Sequence, residues 1–295
     1  MDAFAGVYGT IPTPFGADEE VDETALRKVI DSLFRRGLHG IVAVGSMGEF
    51  AYLSESERLK VCEISVDEAR GRGKVIVGTS AQSTREAIRY SREAERAGAD
   101  GVMVVPPWYG FPTSAELEAH YRDIAHAVDI PLVPYNNSFT TGGNIPPEVL
   151  AKLAEREPSI RNCKETTADI SRITQILSLT DKLTVLCGTD NLLLASYVAG
   201  ARGLMTAMAV IAPELCLQLH VLAKQQRWEE ARALNDRLLP LGNFLETGRF
   251  VPFAKAAMAR TGLPVGLPRR PALPISESDE RSLCETMTPL ARLVD

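Results

Sequence analysis

Long hydrophobic runs are missing from this 295-residue chain, and with them any stretch able to form a membrane-spanning helix. Its start, Met1-Asp2-Ala3-Phe4-Ala5-Gly6, lacks a basic segment followed by an apolar one, so no secretory leader is expected. Cysteine is scarce. The five present (Cys62, Cys163, Cys187, Cys216 and Cys284) are odd in number, lie far apart and form no C-x-x-C pair. That spacing excludes a disulfide framework and a structural zinc site, and it predicts reduced thiols in a cytoplasmic protein. Of only four histidines, His120 and His126 stand six apart and cannot share a helix face as i, i+4 ligands do, so no metal site is expected. Basic residues are dispersed, and a net charge of −6 with pI near 5.4 argues against nucleic acid or an anionic membrane as partner. A G-x-G-x-x-G turn, the mark of a doubly wound dinucleotide fold, is absent.

What the chain does have is a regular alternation of apolar runs and amphipathic stretches. Strands are predicted at Val7 to Ile11, Gly40 to Val44, Lys74 to Gly78, Gly101 to Val105, Leu132 to Tyr135, Ile160 to Lys164, Thr184 to Cys187 and Gly203 to Thr206. Helix starts are marked by Asp22 or Thr24, by Ser54-x-x-Glu57, by Ser83-x-x-Glu86 and by Thr113-x-x-Glu116. Gly37, Gly98 and Gly200 recur where a helix stops and the next strand begins. Eight strand–helix units match a (β/α)₈ TIM barrel over residues 1–225, with an open doubly wound sheet as the alternative. Beyond residue 225 strand signals cease. Trp228 to Leu241, Pro252 to Arg260 and Ser276 to Val294 read as helices of a C-terminal extension, 226–295.

In such barrels reactive groups gather at the carboxyl ends of the strands. Among eight lysines, only Lys164 falls there; Lys28, Lys60, Lys74, Lys152, Lys182, Lys224 and Lys255 sit on helix faces or ahead of strands, where an ammonium group projects into water. A lysine held in a partly desolvated pocket loses some preference for the charged form, and its amine can then attack a carbonyl to form a Schiff base. The plainer alternative is a side chain that reaches solvent or pairs with Glu165. Tyr135 ends the neighbouring strand and could move protons beside Lys164, or could be a core-edge phenol. Gly45-Ser46-Met47-Gly48-Glu49 offers backbone N–H groups for a carboxylate, or an ordinary tight turn. In Gly188-Thr189-Asp190-Asn191, Asp190 could bind a polyol or cap a helix. Cys163 and Cys187, on strands without a matched base, read as buried packing residues.

Taken together, Gly45 to Glu49, Pro107-Trp108-Tyr109, Tyr135-Asn136-Asn137 through Gly142, and Lys164-Glu165-Thr166-Thr167 resemble, in order and spacing, the dihydrodipicolinate synthase and N-acetylneuraminate lyase superfamily almost end to end. The resemblance implies a class I aldolase-type barrel without cofactor. It makes Lys164 the Schiff-base residue and Tyr135 the general acid/base. Ser46 and the Met47 N–H would bind the carboxylate of pyruvate or another 2-oxo acid. Tyr109 would reach into a neighbouring subunit's site, implying a homo-oligomer built as a dimer of dimers. Thr166 would face substrate.

Two departures bear on the substrate. The lysine-pathway synthase carries an arginine where Thr140 stands and a threonine where Met47 stands, and loss of a bidentate cation should weaken binding of a second carboxylate. The expectation is therefore a member other than that synthase. Asn191 replaces an acidic residue of the neuraminate lyases, and Tyr-Asn-Asn is more similar to members acting on 2-keto-3-deoxy sugar acids. The expected activity is reversible aldol cleavage of a hydroxylated 2-oxo acid. Dehydration through the same Schiff base is the alternative, and a catalytically silent 2-oxo-acid-binding barrel is the reading from another class.

Overall fold

The apolar runs become strands because each is covered on both faces, by side chains within the barrel and by helices outside it. In the computed structural model, which describes residues 4–291, they are β1 (Gly6–Thr10), β2 (Gly40–Ala43), β3 (Lys74–Gly78), β4 (Gly101–Val104), β5 (Leu132–Asn136), β6 (Asn162–Glu165), β7 (Thr184–Cys187) and β8 (Gly203–Thr206). All pair in parallel and in sequence order, and β8 returns to β1 with Gly203 opposite Gly6. This closure makes the fold a (β/α)₈ barrel and removes the open-sheet alternative. Among the described residues no helix is long and apolar enough to cross a membrane.

Local signals hold at most helix starts. Asp22 caps the helix Glu23–Arg35 by accepting from the Ala25 N–H, and Leu26, Val29, Ile30, Leu33 and Phe34 form its buried stripe. Ser54 and Thr113 close complete capping boxes. Gly37, Gly98 and Gly200 take φ of 88°, 93° and 107°, the left-handed stop that a side chain would resist.

The extension differs more from expectation. Its first helix, expected from Trp228 to Leu241 with Pro240 inside it, runs on to Leu245. Leu238, Leu241, Gly242 and Leu245 stay buried, so packing of this stripe outweighs the local preference of proline to end a helix. The helices Phe250–Arg260 and Glu277–Ala291 follow; positions 292–294 of the last expected helix lie outside the described residues. Two short helices, Ser138–Thr141 and Met208–Ile211, had no sequence signal.

One lysine is misplaced by the sequence reading. Six of the seven lysines expected in water are exposed, but Lys255 is buried. Its Nζ forms an ion pair with Glu49 Oε1 at 2.6 Å and donates to the carbonyls of Thr13 (2.9 Å) and Leu267 (3.0 Å). The helix carrying it lies over the turn after β2, so a residue on what reads as a helix face meets the barrel rim.

Candidate active site

Neighbouring strands β5 and β6 place Tyr135 directly opposite Lys164 in register. The Lys164 ammonium lies 4.1 Å from the centre of the Tyr135 ring, and both residues are buried at the barrel mouth. The proposed pairing of Lys164 with Glu165 does not occur. Successive side chains of a strand face opposite ways, and Glu165 turns from the cavity to accept from Arg172 Nε (3.0 Å) and Asn136 Nδ2 (3.2 and 3.0 Å). Arg172 also donates to the Ile145 carbonyl at 2.6 Å, which locks the loop after β5 to the end of β6. Lys164 is thus left without an ion-pair or hydrogen-bond partner among the described residues.

It faces a cleft of about 370 Å³ whose walls bring together Ser46, Met47, Tyr135, Thr140, Lys164, Thr166 and Gly188. All seven were singled out in the sequence. Gly188 is required by close approach: a Cβ there would fall 1.9 Å from Thr166 Oγ1 and 2.5 Å from Lys164 Cε. Thr166 donates its N–H to the Asn136 carbonyl (3.0 Å), while its hydroxyl is buried without a partner among the described residues.

Two expected residues stand elsewhere. Asp190 lies behind the cavity wall, only 1% exposed, with Oδ1 accepting from the Met208 N–H (2.5 Å) and its own N–H bonded to Glu246 Oε1 (2.8 Å). Nor does it cap the next helix, which begins at Leu193 after Leu192. Burial, then the nearby Glu246 charge, pushes its carboxyl up to about 7. Glu246 is itself raised, chiefly by burial. Tyr109 is 88% exposed and stands outside the cavity of its own chain.

Other cavity residues escaped the sequence reading. Leu245, Glu246 and Phe250 come from the extension, brought there by the helix that continues past Pro240. Asn137 was part of the Tyr-Asn-Asn motif, yet nothing in that triplet distinguished its two amides. Cys163 and Cys187 are buried as expected; burial raises both thiols, Cys187 to about 11, so neither is poised as a nucleophile. The site as built offers one unpaired amine, an adjacent phenol, and hydroxyl and amide groups around the space a small carbonyl compound would fill.

Comparison with known proteins places this geometry. The model of the dihydrodipicolinate synthetase family matches residues 3–289. The chain is 35% identical over 290 residues to a 4-hydroxy-tetrahydrodipicolinate synthase of Methanococcus vannielii, covering 98% of this chain and 99% of the relative. A synthase of the same name from Syntrophobacter fumaroxidans is 38% identical over 283 residues, 95% of this chain and 96% of the relative. Among solved structures, YagE, a prophage protein of E. coli K12 in complex with pyruvate, matches with a TM-score of 0.94 at 28% identity, covering 98% of this chain and 99% of that one.

These findings overturn one expectation, that the chain stands apart from the lysine-pathway synthase. Full-length relatives carry that synthase's name, so Thr140 and Met47 do not separate the chain from them. An absent arginine does not by itself remove carboxylate binding. Backbone N–H groups and hydroxyls also hold carboxylates, and the cavity contains several.

Proposed function

The chain belongs to the dihydrodipicolinate synthetase family, lyases that work through a lysine Schiff base without metal or organic cofactor, and from that premise we propose that Lys164 captures the C2 carbonyl of pyruvate or a hydroxylated 2-oxo acid so that the C3–C4 bond can be made or broken. The observation that carries this reading is the unpaired, buried Lys164 amine beside Tyr135 at the cavity wall. The amine adds to C2, Tyr135 gives its phenol proton to the departing C2 hydroxyl, and water leaves an iminium that withdraws electrons from C3 beside a Tyr135 phenolate. Ser46 and the Met47 N–H hold the C1 carboxylate. In cleavage the C4 hydroxyl gives its proton to the Tyr135 oxygen, the C3–C4 electron pair enters the C2–C3 bond as an enamine, and the aldehyde departs. Tyr135 then returns the proton to C3, and water hydrolyses the iminium to free the 2-oxo acid and the amine.

The relatives' name makes formation of 4-hydroxy-tetrahydrodipicolinate the first reaction to assay in the condensation direction. A second reading, cleavage or dehydration of a 2-keto-3-deoxy sugar acid, is favoured by the wall itself. Thr10, Ser46, Asn137, Thr140 and Thr166 line it, with Lys164 as its one cation and Glu246 as its one carboxylate among the described residues. Borohydride reduction in the presence of pyruvate tests the shared step: a stable adduct on the Lys164 peptide is expected, and its absence would favour a silent binding barrel. Product analysis then separates the outcomes. Aspartate semialdehyde with pyruvate reports the synthase reaction; a 2-keto-3-deoxy acid yields pyruvate plus an aldehyde, or an unbroken chain lacking one water.

Tyr109, Phe111 and Phe139 are 88%, 66% and 70% exposed. Side chains this apolar, exposed together, support a reading in which a second copy covers them and Tyr109 completes that copy's site. Sedimentation of the purified chain as a monomer would remove it.

A further inference from the structure

The two amides after Tyr135 have opposite fates. Asn136 is saturated: its Nδ2 reaches both Glu165 oxygens and Asn144 Oδ1 (3.2 Å), and its Oδ1 accepts from the Ile145 N–H at 2.8 Å. Asn137 is held just as firmly, but by its backbone. Its carbonyl accepts from the N–H groups of Thr140 (3.2 Å) and Thr141 (3.1 Å) and from the hydroxyls of Thr140 (3.3 Å) and Thr141 (2.9 Å). The side chain is thereby fixed at the cavity wall. There Nδ2 donates to the Tyr135 oxygen at 2.8 Å, and Oδ1 is buried with no partner among the described residues.

Each end of this amide has a chemical consequence. An N–H donated to the phenol oxygen turns the phenol's own hydrogen toward the cavity and stabilises the oxygen after its proton has gone. A buried carbonyl oxygen without a donor is destabilising, and a ligand hydroxyl at that point would relieve it. Resting on the Schiff-base reading above, we infer that Asn137 is a positioning and specificity residue: Nδ2 holds Tyr135 as the proton carrier, and Oδ1 receives a hydroxyl hydrogen borne by the substrate beyond the C3–C4 bond. The substrate class this selects is a 2-oxo acid hydroxylated on the departing fragment, or the corresponding 2-hydroxyaldehyde in the condensation direction.

Asn137→Leu, similar in volume and without polar atoms, tests both ends. The borohydride adduct with pyruvate should form on Lys164 as in the parent protein, which shows that the fold and the amine are intact. If the parent itself forms no adduct, the Schiff-base reading has failed before Asn137 is tested. With the adduct intact, exchange of the pyruvate methyl hydrogens with deuterated water, followed by NMR, should slow about tenfold or more. In condensation with pyruvate the parent should prefer glyceraldehyde over propanal by about tenfold, and the variant should lose that preference. Unchanged methyl exchange would overturn the Tyr135 role. An unchanged aldehyde preference, or a parent with none, would overturn the Oδ1 role. A fold defect in Asn137→Leu would show as a lost adduct; Asn137→Asp, which keeps the shape and the acceptor but not the N–H, would then carry the exchange measurement.

Discussion

Two lysines are buried in this barrel, and they could hardly be used more differently. Lys255 spends its charge on structure: its ammonium forms an ion pair with Glu49 and donates to the carbonyls of Thr13 and Leu267, and Phe15 lies beneath it at 4.4 Å. Burial lowers its pKa, with the Glu49 carboxylate pulling the other way. Through Glu49 it pins the turn that presents Ser46 and Met47 to the cavity. Lys164, also buried, has an aromatic face on one side, open cavity on the other and no carboxylate within ion-pair distance among the described residues. Burial alone therefore does not make a lysine reactive. A vacant coordination shell beside a space large enough for a carbonyl compound does.

The contrast is sharpest in a pair of substitutions. Lys164→Met should abolish borohydride trapping and turnover entirely while leaving the urea midpoint nearly unchanged, because no partner is orphaned. Lys255→Met should do the reverse. Removing it leaves Glu49 as an uncompensated buried charge, an effect of about 3–5 kcal/mol, with trapping retained in whatever fraction stays folded. Adding Glu49→Leu to Lys255→Met should recover part of that loss. If instead Lys164→Met lowers stability as much as Lys255→Met, the amine is structurally paired and the distinction collapses.

A smaller effect separates capture from proton transfer. Tyr135→Phe keeps the ring under the Lys164 ammonium and deletes only the hydroxyl, so the trapped adduct should survive while turnover slows by about 10² or more. Equal turnover would move the proton-carrying role elsewhere, with Glu246 the next group on the cavity wall.

These expectations divide along the line of what sequence could convey. Lys164, Tyr135, Ser46 and Gly188 were legible because each sits at or just past the end of an expected strand, and a parallel barrel sends every such end to one mouth. Lys255 was not, because its partner Glu49 lies 206 positions away and only the docking of the extension joins them. Glu246 was hidden for a related reason: the helix runs beyond its expected end at Leu241 because Gly242 and Leu245 continue the buried stripe, and Glu246 follows as its cap. Asn137 and Asn136 are the same residue type side by side, and alternation along the chain's path, invisible in composition, gives one to the scaffold and the other to the cavity. The capped helix starts were readable for the opposite reason, since donor and acceptor lie only three residues apart.

The mildest test concerns the carboxyl that sequence placed in the substrate's path and the fold places behind it. Asp190 titrates at about 7 in the folded chain, against an ordinary 3.8. Between those values the folded state keeps a proton that the unfolded state has released. Stability must therefore be greatest below about pH 4 as far as this group is concerned, and must fall as pH rises toward 7, at up to about 1.4 kcal/mol per pH unit. Glu246, raised in the same direction, adds to the slope, while the Lys164 charge opposes it. Asp190→Asn reproduces the protonated shape and leaves an oxygen to accept from the Met208 N–H. Urea midpoints measured at intervals from pH 4.5 to 7.5 should fall less steeply for this variant than for the parent, with borohydride trapping intact at both ends. Parallel slopes would mean that Asp190 is ionised and solvated in the folded chain, which would return it to the cavity as a ligand for substrate hydroxyls and erase its difference from the residues that line the wall.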